Sequence, residues 1–253
     1  MFQIVGNHIV RLPQVDSTNN YANTQFRANE LTEGTVFLAY EQSNGRGQMK
    51  NYWESEPGMN LTFSIVLFPD FLEIRKQFML SKIVTLGIYA ALNPWVENLR
   101  IKWPNDIYAG DMKLGGILIE NSILYNSIKS SVIGIGINVN QTEFLSNAPN
   151  PTSLKLLANK QFDSELVLTQ ILKQIDFYYA LLKDQQVKRI DQEFISVLYR
   201  INETHWFQDE QGKFEGQITG VNAIGQLLVK QAGGQLKAYH FKEVEFLQLS
   251  KER

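Results

Sequence analysis

The hydropathy of the chain switches between strand-like and helix-like spacing. Thr35-Val36-Phe37-Leu38-Ala39-Tyr40 is short, β-branched and aromatic, as suits a strand. Leu61-Thr62-Phe63-Ser64-Ile65-Val66-Leu67 begins with apolar residues at every second position and becomes wholly apolar, which predicts a central strand. Over residues 71–91 the positions Leu72, Phe78, Ile83, Leu86 and Ala90 recur at helical spacing, and Asn93-Pro94 stops that helix. Arg100-Ile101-Lys102-Trp103 then meets the breaker Pro104-Asn105-Asp106. Ile107-Tyr108 and residues 112–120 flank Ala109-Gly110-Asp111, a hairpin signal. Residues 131–139 supply another apolar strand, and helices are expected over 164–183 and 193–200. Strands joined by such short turns predict an α+β protein with a mixed, largely antiparallel sheet flanked by helices, not a doubly wound parallel one.

The last fifty residues or so change character. Short strands around Trp206, 214–221, 226–230 and 236–241 are separated by Glu210-Gln211-Gly212, Asn222-Ala223-Ile224-Gly225 and Gly233-Gly234. Turns at this density read as a small β-barrel appended to the α/β body. The expected division is a body over 1–200 and a small β domain over 201–253.

Composition narrows the chemistry. With 253 residues, 44% hydrophobic and 20% charged, the chain is an ordinary globular one, which excludes disorder and fibrous repeats. Lys and Arg total 24 against 26 acidic residues, a net charge of −2, so a broad basic face for nucleic acid is not expected and DNA is not a predicted partner. There is no Cys, which removes disulfides, thiolate nucleophiles and cysteine-ligated metals; His8, His205 and His240 are too scattered for a metal cluster, so no metal site is expected. No apolar run approaches the roughly 18–20 residues of a membrane span. The opening Met1-Phe2-Gln3-Ile4-Val5-Gly6-Asn7-His8 lacks the features of a signal peptide, so a cytoplasmic protein without a membrane partner is expected.

Three stretches carry candidate chemistry. The first, Glu41-Gln42-Ser43-Asn44-Gly45-Arg46-Gly47-Gln48-Met49-Lys50-Asn51-Tyr52-Trp53, follows a predicted strand. Its glycines let backbone N–H groups approach an anion, and Arg46 adds a planar fork for a carboxylate or phosphate; it can equally be a polar loop whose glycines merely turn the chain. The second is Lys102-Trp103-Pro104-Asn105-Asp106-Ile107 with Lys113-Leu114-Gly115-Gly116-Ile117-Leu118. A hairpin through Gly110 brings the two lysines near each other, as cations for an anionic substrate; alternatively Trp103 is core, Asp106 forms a turn and the lysines are solvated. The third, Gly134-Ile135-Gly136-Ile137-Asn138-Val139-Asn140, is either functional or a buried strand thinned by glycines for close packing; it lacks the spacing of a dinucleotide-binding fingerprint.

Together these blocks resemble the biotin protein ligases, which attach biotin to a lysine of a carrier domain. The resemblance spans nearly the whole chain, through Val15-Asp16-Ser17-Thr18-Asn19, Gly45-Arg46-Gly47 to Trp53, Pro57-Gly58-Met59-Asn60-Leu61, Lys102-Trp103-Pro104-Asn105-Asp106, Lys113 with Gly116-Ile117-Leu118, and Gly136-Ile137-Asn138. It implies an α+β fold of the class II synthetase and biotin ligase type with a C-terminal SH3-like β-barrel. Asp16 lies so near Met1 that the winged helix-turn-helix domain of some relatives has no room, and a ligase-only protein is expected.

The resemblance also implies a reaction and residue roles. Biotin and MgATP would give biotinyl-5′-AMP and pyrophosphate, and a lysine of a biotin carboxyl carrier domain would then take the biotinyl group; a homodimer is possible in this family. Ser17, Thr18, Asn19, Gln42, Gly45, Arg46, Gly47, Gln48, Lys113 and Gly116 are the expected biotin contacts. Trp53, Lys102, Asn105, Lys113 and Asn138 are the expected ATP and adenylate contacts, Trp53 by stacking and Asn138 by hydrogen bonding. Lys113, Arg46 and Asp106 are the expected catalytic residues; Asn105 and Asp106 either shape the nucleotide end or guide the incoming lysine. Many relatives have arginine where Gln48 and Asn51 stand and glycine at Lys50, so this loop has fewer guanidinium forks, and Lys50 restores only a point charge. The alternatives are a lipoate or octanoate ligase of the same superfamily, and a non-catalytic biotin sensor.

Overall fold

The computed structural model describes residues 4–28, 31–48, 51–146 and 150–247. Among these, seven strands form the main sheet: β1 (Ile9–Val15), β2 (Val36–Gln42), β3 (Leu61–Leu67), β4 (Leu99–Lys102), β5 (Asp106–Ala109), β6 (Met112–Leu124) and β7 (Ser127–Ile137). Their order is β1-β2-β3-β7-β6-β5-β4. Every pairing is antiparallel except β1 with β2. That parallel pair needs a crossover, which α1 (Thr18–Ala28) provides. The mixed, largely antiparallel sheet is the one the turn spacing predicts.

Two helical layers explain why β3 is buried at all seven positions. On one face, Leu61, Phe63, Ile65 and Leu67 join Ile133, Ile135 and Ile137 of β7 against α2 (Phe78–Leu92) and α4 (Ser164–Lys183). On the other, Val66 and Val132 pack with Phe37 and Ala22 of α1. Each fully buried side chain of this kind contributes about 1.5–3 kcal/mol, so the apolar face alone dominates local stability. Beside the first turn of α1 the buried positions on this face become polar, Thr62 and Ser64, and Ser64 meets Thr18 and Asn19 of the helix.

α4 begins as the sequence predicts, capped by Asp163, whose Oδ1 accepts from the Glu165 N–H at 2.9 Å. The helix expected from residue 71 starts later, at Phe78. The Ile74 N–H donates to Asn126 O and the Leu72 carbonyl accepts from Ile128, so this backbone serves the β6–β7 hairpin and is unavailable to a helix. The helix expected over 193–200 is α5 (Val187–Ser196), with Ile190 and Phe194 buried one turn apart. Residues 197–199 leave it because Ile101 of β4 bonds to Val197 O and Tyr199 N. The strand expected over 131–139 begins earlier, as β7. A short α3 (Leu154–Ala158) precedes α4.

Beyond residue 203 the chain forms a second sheet from β8 (Thr204–Asp209), β9 (Gly212–Val221), β10 (Leu227–Gln231), β11 (Leu236–Tyr239) and β12 (Glu245–Phe246), in the order β11-β10-β9-β8-β12. It is antiparallel throughout, consistent with an SH3-like barrel. It docks on the main sheet through Trp103, whose Nε1 donates to Gly225 O at 2.9 Å. No helix among the described residues is long and apolar enough to cross a membrane.

The contact of α2 with α4 gives a test. A Cβ added at Gly87 would lie 2.8 Å from the Ile175 Cα. Gly87→Ala should therefore destabilise the protein by about 1–3 kcal/mol. Its gain in helix propensity, about 1 kcal/mol, works the other way. Urea unfolding checks this, and an unchanged or higher midpoint contradicts the packing described.

Candidate active site

The floor of the site is one rung of the main sheet. Pairing runs Leu12–Ala39–Thr62–Gly136–Gly116–Asp106–Lys102 across all seven strands. At its centre two glycines leave a trough. A Cβ on Gly136 would lie 2.3 Å from the Trp53 ring, and one on Gly134 would lie 2.4 Å from Asn19 Oδ1. The trough opens into a cavity of about 830 Å³ that reaches from α1 to the last strand of the second sheet.

At one end lie Ser17 and the first two residues of α1, Thr18 and Asn19, all buried. Gln42 Oε1 accepts from the Thr18 N–H at 2.7 Å, which leaves the Gln42 Nε2 donors for another partner. Ser64 Oγ lies 2.7 Å from both Asn19 Oδ1 and Thr18 Oγ1. Since a carbonyl oxygen can only accept, the Ser64 hydroxyl donates to Asn19 and the Thr18 hydroxyl donates to Ser64. Thr18 Oγ1 is thereby set with its remaining lone pair free to accept. A donor and an acceptor at fixed places is what a ligand carrying both N–H and C=O needs.

The opposite end is charged. Lys113 Nζ lies 2.8 Å from Asp106 Oδ1, with both side chains mostly buried. Lys102 Nζ lies 3.2 Å from the Tyr108 hydroxyl and over the rings of Tyr108, Phe246 and Tyr199 at 4.4, 5.3 and 5.7 Å. Burial in this cage lowers the Lys102 pKa from the ordinary lysine value, while the Asp106 charge opposes the shift. Burial also pushes the Tyr108 and Tyr199 hydroxyls up, so both stay protonated donors. Asn105 is tied to β6: its Nδ2 donates to Ile117 O at 2.5 Å and its carbonyl accepts from the Ile117 N–H at 3.0 Å. It fixes the turn after the cis Trp103–Pro104 bond and so places Asp106.

The glycine-rich loop closes as a narrow hairpin, with Gly47 N–H bonded to Asn51 O at 2.6 Å and Trp53 N–H to Gly45 O at 3.0 Å. Arg46 pairs with Glu120 at 2.8 Å. The Trp53 indole lies on Gly136 and Gly116, and its buried Nε1 has no hydrogen-bond partner in the structure, nor has the buried Gln48 Oε1. An orphan donor and an orphan acceptor on the cavity wall suit a polar ligand. Met49 and Lys50 lie outside the described residues.

Most of the residues singled out from sequence meet on this cavity. Ser17, Thr18, Asn19, Gln42 and Gly116 line its α1 end and floor; Arg46, Gly47, Gln48 and Trp53 line the loop side; Lys102, Asn105, Asp106 and Lys113 line the charged end. Two are not brought to it. Gly45 is packed under the Trp53 carbonyl, and Asn138 is buried behind the floor, donating to Thr152 O at 2.8 Å. Sequence reading passed over Thr62, Tyr199, Arg200, Phe241, Lys242 and residues 244–247 on the cavity wall, and Ser64, which bonds Thr18 and Asn19 from behind. Thr62 and Ser64 had a signal, as the polar members of an otherwise apolar strand; the others reach the cavity only through the tertiary fold.

The profile of the biotin/lipoate A/B protein ligase family matches residues 12–138. The bifunctional ligase/repressor BirA of Bacillus spizizenii is 30% identical over 243 residues, covering 94% of this chain and 74% of that protein. The human biotin–protein ligase is 29% identical over 228 residues, covering 82% of this chain and 30% of its own length. Among solved structures, the biotin protein ligase of Aquifex aeolicus in complex with biotin and ATP superposes with a TM-score of 0.80 at 28% identity, covering 96% of this chain and all of that one.

Ser64 tests the hydrogen-bond chain. Ser64→Ala leaves Asn19 Oδ1 without its donor in a fully buried place, and should cost about 1–3 kcal/mol of stability. Denaturant unfolding measures it; a loss below about 0.5 kcal/mol, the level of an ordinary surface change, would show the network is not as drawn.

Proposed function

The chain belongs to the biotin/lipoate A/B protein ligase family, and on that premise we propose that it is an ATP-dependent biotin–protein ligase acting through biotinyl-5′-AMP. The observation that carries the reading to biotin is the α1 end of the cavity. Its pre-set acceptor on Thr18 and spare donors on Gln42 match a ureido ring, whereas the dithiolane of lipoate presents neither N–H nor C=O.

The chemical problem is the carboxylate of biotin, a poor electrophile with no leaving group. ATP solves it: the carboxylate oxygen attacks the α-phosphorus, pyrophosphate leaves, and the resulting mixed anhydride presents AMP as the leaving group. A carrier lysine amine then attacks the acyl carbon and expels AMP. We assign Lys113 the principal catalytic role. Held between floor and charged end, its ammonium would offset charge that develops on the α-phosphoryl oxygens. Asp106, paired to Lys113, fixes that ammonium and would guide the incoming amine. Lys102 and Arg200, both on the cavity wall, would face the phosphates. Asn105 acts by placing Asp106, and Trp53 by covering the floor; Asn138 supports the floor from behind. Mg²⁺ would be held mainly by the phosphates of ATP and by water, since Asp106 is engaged by Lys113 and no group of three or more His, Asp or Glu converges among the described residues. The protein substrate is proposed to be the biotin carboxyl carrier domain of a biotin-dependent carboxylase, and the division between ligase body and C-terminal β domain is placed near residue 200.

Incubation with biotin, MgATP and a carrier domain should add one biotinyl group to the carrier, read by intact mass, and lipoate should not substitute. Carrier mass unchanged with biotin, or equal modification with lipoate, overturns the substrate. Lys113→Ala should keep its fold and slow biotin-dependent pyrophosphate release by about 10²–10³-fold. Near-normal release from a folded Lys113→Ala protein removes Lys113 from the mechanism.

A further inference from the structure

Glu120, on β6, is used by none of the steps above, yet its carboxylate accepts from three side chains beside the α1 end of the cavity, those of Arg46, Asn19 and Asn23. Arg46 Nη2 lies 2.8 Å from Oε1 and Nη1 lies 3.4 Å from Oε2. Asn19 Nδ2 donates to Oε2 at 2.9 Å and Asn23 Nδ2 at 3.3 Å, one helical turn further along α1. The same Arg46 Nη1 donates to Asn20 Oδ1 at 2.7 Å, and Asn20 in turn donates to Asp16 at 2.6 Å. Both terminal nitrogens of the guanidinium are thus taken by protein acceptors, and its charge is met by a carboxylate. With three of its five N–H donors and its charge engaged by the protein, the fork has less to offer a substrate anion than a free guanidinium.

Its position gives it another use. Arg46 bridges to Tyr52 across the loop hairpin, and Trp53 follows directly, lying on Gly136. A tether on Arg46 therefore fixes the loop that carries the indole. Asn19 extends the connection, since it bonds Glu120 through Nδ2 and Ser64 through Oδ1.

We propose that Glu120 is a positioning residue that clasps the glycine loop through Arg46, so that Trp53 is held on the floor of the cavity, with Arg46 serving as the tether instead of contacting the anionic groups of the substrate. The substrate side of this statement rests on the ligase reading; the clasp itself does not.

Two measurements separate them. Hydrogen exchange of the Gly47 and Trp53 amides needs no substrate and reports the clasp. Biotin-dependent pyrophosphate release reports its effect on the reaction. Glu120→Gln should speed exchange at both amides about fivefold, the scale of a half-exposed ion pair. It should raise the KM for biotin by a similar factor with kcat held. Arg46→Ala should match it in exchange and KM, the double variant should add nothing further, and the charge-reversed pair Arg46→Glu with Glu120→Arg should recover most of both. Exchange unaltered in Glu120→Gln overturns the clasp. So does a much larger KM effect for Arg46→Ala than for Glu120→Gln, or effects that multiply in the double variant, since either means that Arg46 touches substrate. A wild-type protein that releases no pyrophosphate removes the ligase reading alone, and the exchange result still decides the clasp.

Discussion

The site depends on one steric constraint, the absence of side chains at the middle of the sheet. Gly134 and Gly136 stand on β7 at alternate positions, and Gly116 faces Gly136 across the pairing with β6. Because side chains alternate between the faces of a strand, these bare positions coexist with Ile133, Ile135 and Ile137, which anchor the same strand in the main core. One face of β7 holds the fold together while the other admits Asn19, Trp53 and the ligand. A methyl group at either glycine would collide with a side chain the site requires, so cavity and core cannot be varied independently.

Electrostatics then sorts the two ends. The α1 end is organised by hydrogen bonds, with proton positions forced by the Thr18–Ser64–Asn19 chain. The other gathers Lys102, Lys113 and Arg200 against Asp106 and Asp111, so its cations are partly compensated before any phosphate arrives. For fully buried pairs, stranding one partner costs about 3–5 kcal/mol. Lys113 and Asp106 each keep 21% of their side-chain exposure, so their pairing costs less to break and leaves the lysine able to exchange partners.

The legible part of this protein was local. Leu61–Leu67 read as a central strand and Ser164–Lys183 as a helix because their apolar spacing is set by burial against the same layers throughout. The helix at Phe78 was misplaced because the backbone of residues 72–74 is claimed by a hairpin distant in sequence, which no local pattern records. β1 and α1 escaped notice as elements because β1 is a half-exposed edge and α1 carries asparagines where a core helix would carry leucines. The site blocks were legible because glycine, proline and paired charges are costly outside function or turns. Asn138 shows the limit: its block was recognised, but its side chain turns behind the floor to Thr152. Glu120 was invisible for the opposite reason, being one acidic residue in a strand until the fold set Arg46 against it.

The docking of the second sheet has a consequence for proton affinity. Phe246 belongs to β12, yet it forms one wall of the cage around Lys102, and Tyr199 stands on the segment that leads into that sheet. The burial of this lysine is therefore shared: Tyr108 of the main sheet supplies the nearest ring and the apposed second sheet, joined through the Trp103–Gly225 hydrogen bond, supplies Phe246. Any movement that parted the two sheets would let water reach the ammonium and bring it closer to the behaviour of a surface lysine. The basicity of a group on the main sheet is therefore set in part by how closely its C-terminal neighbour is seated against it.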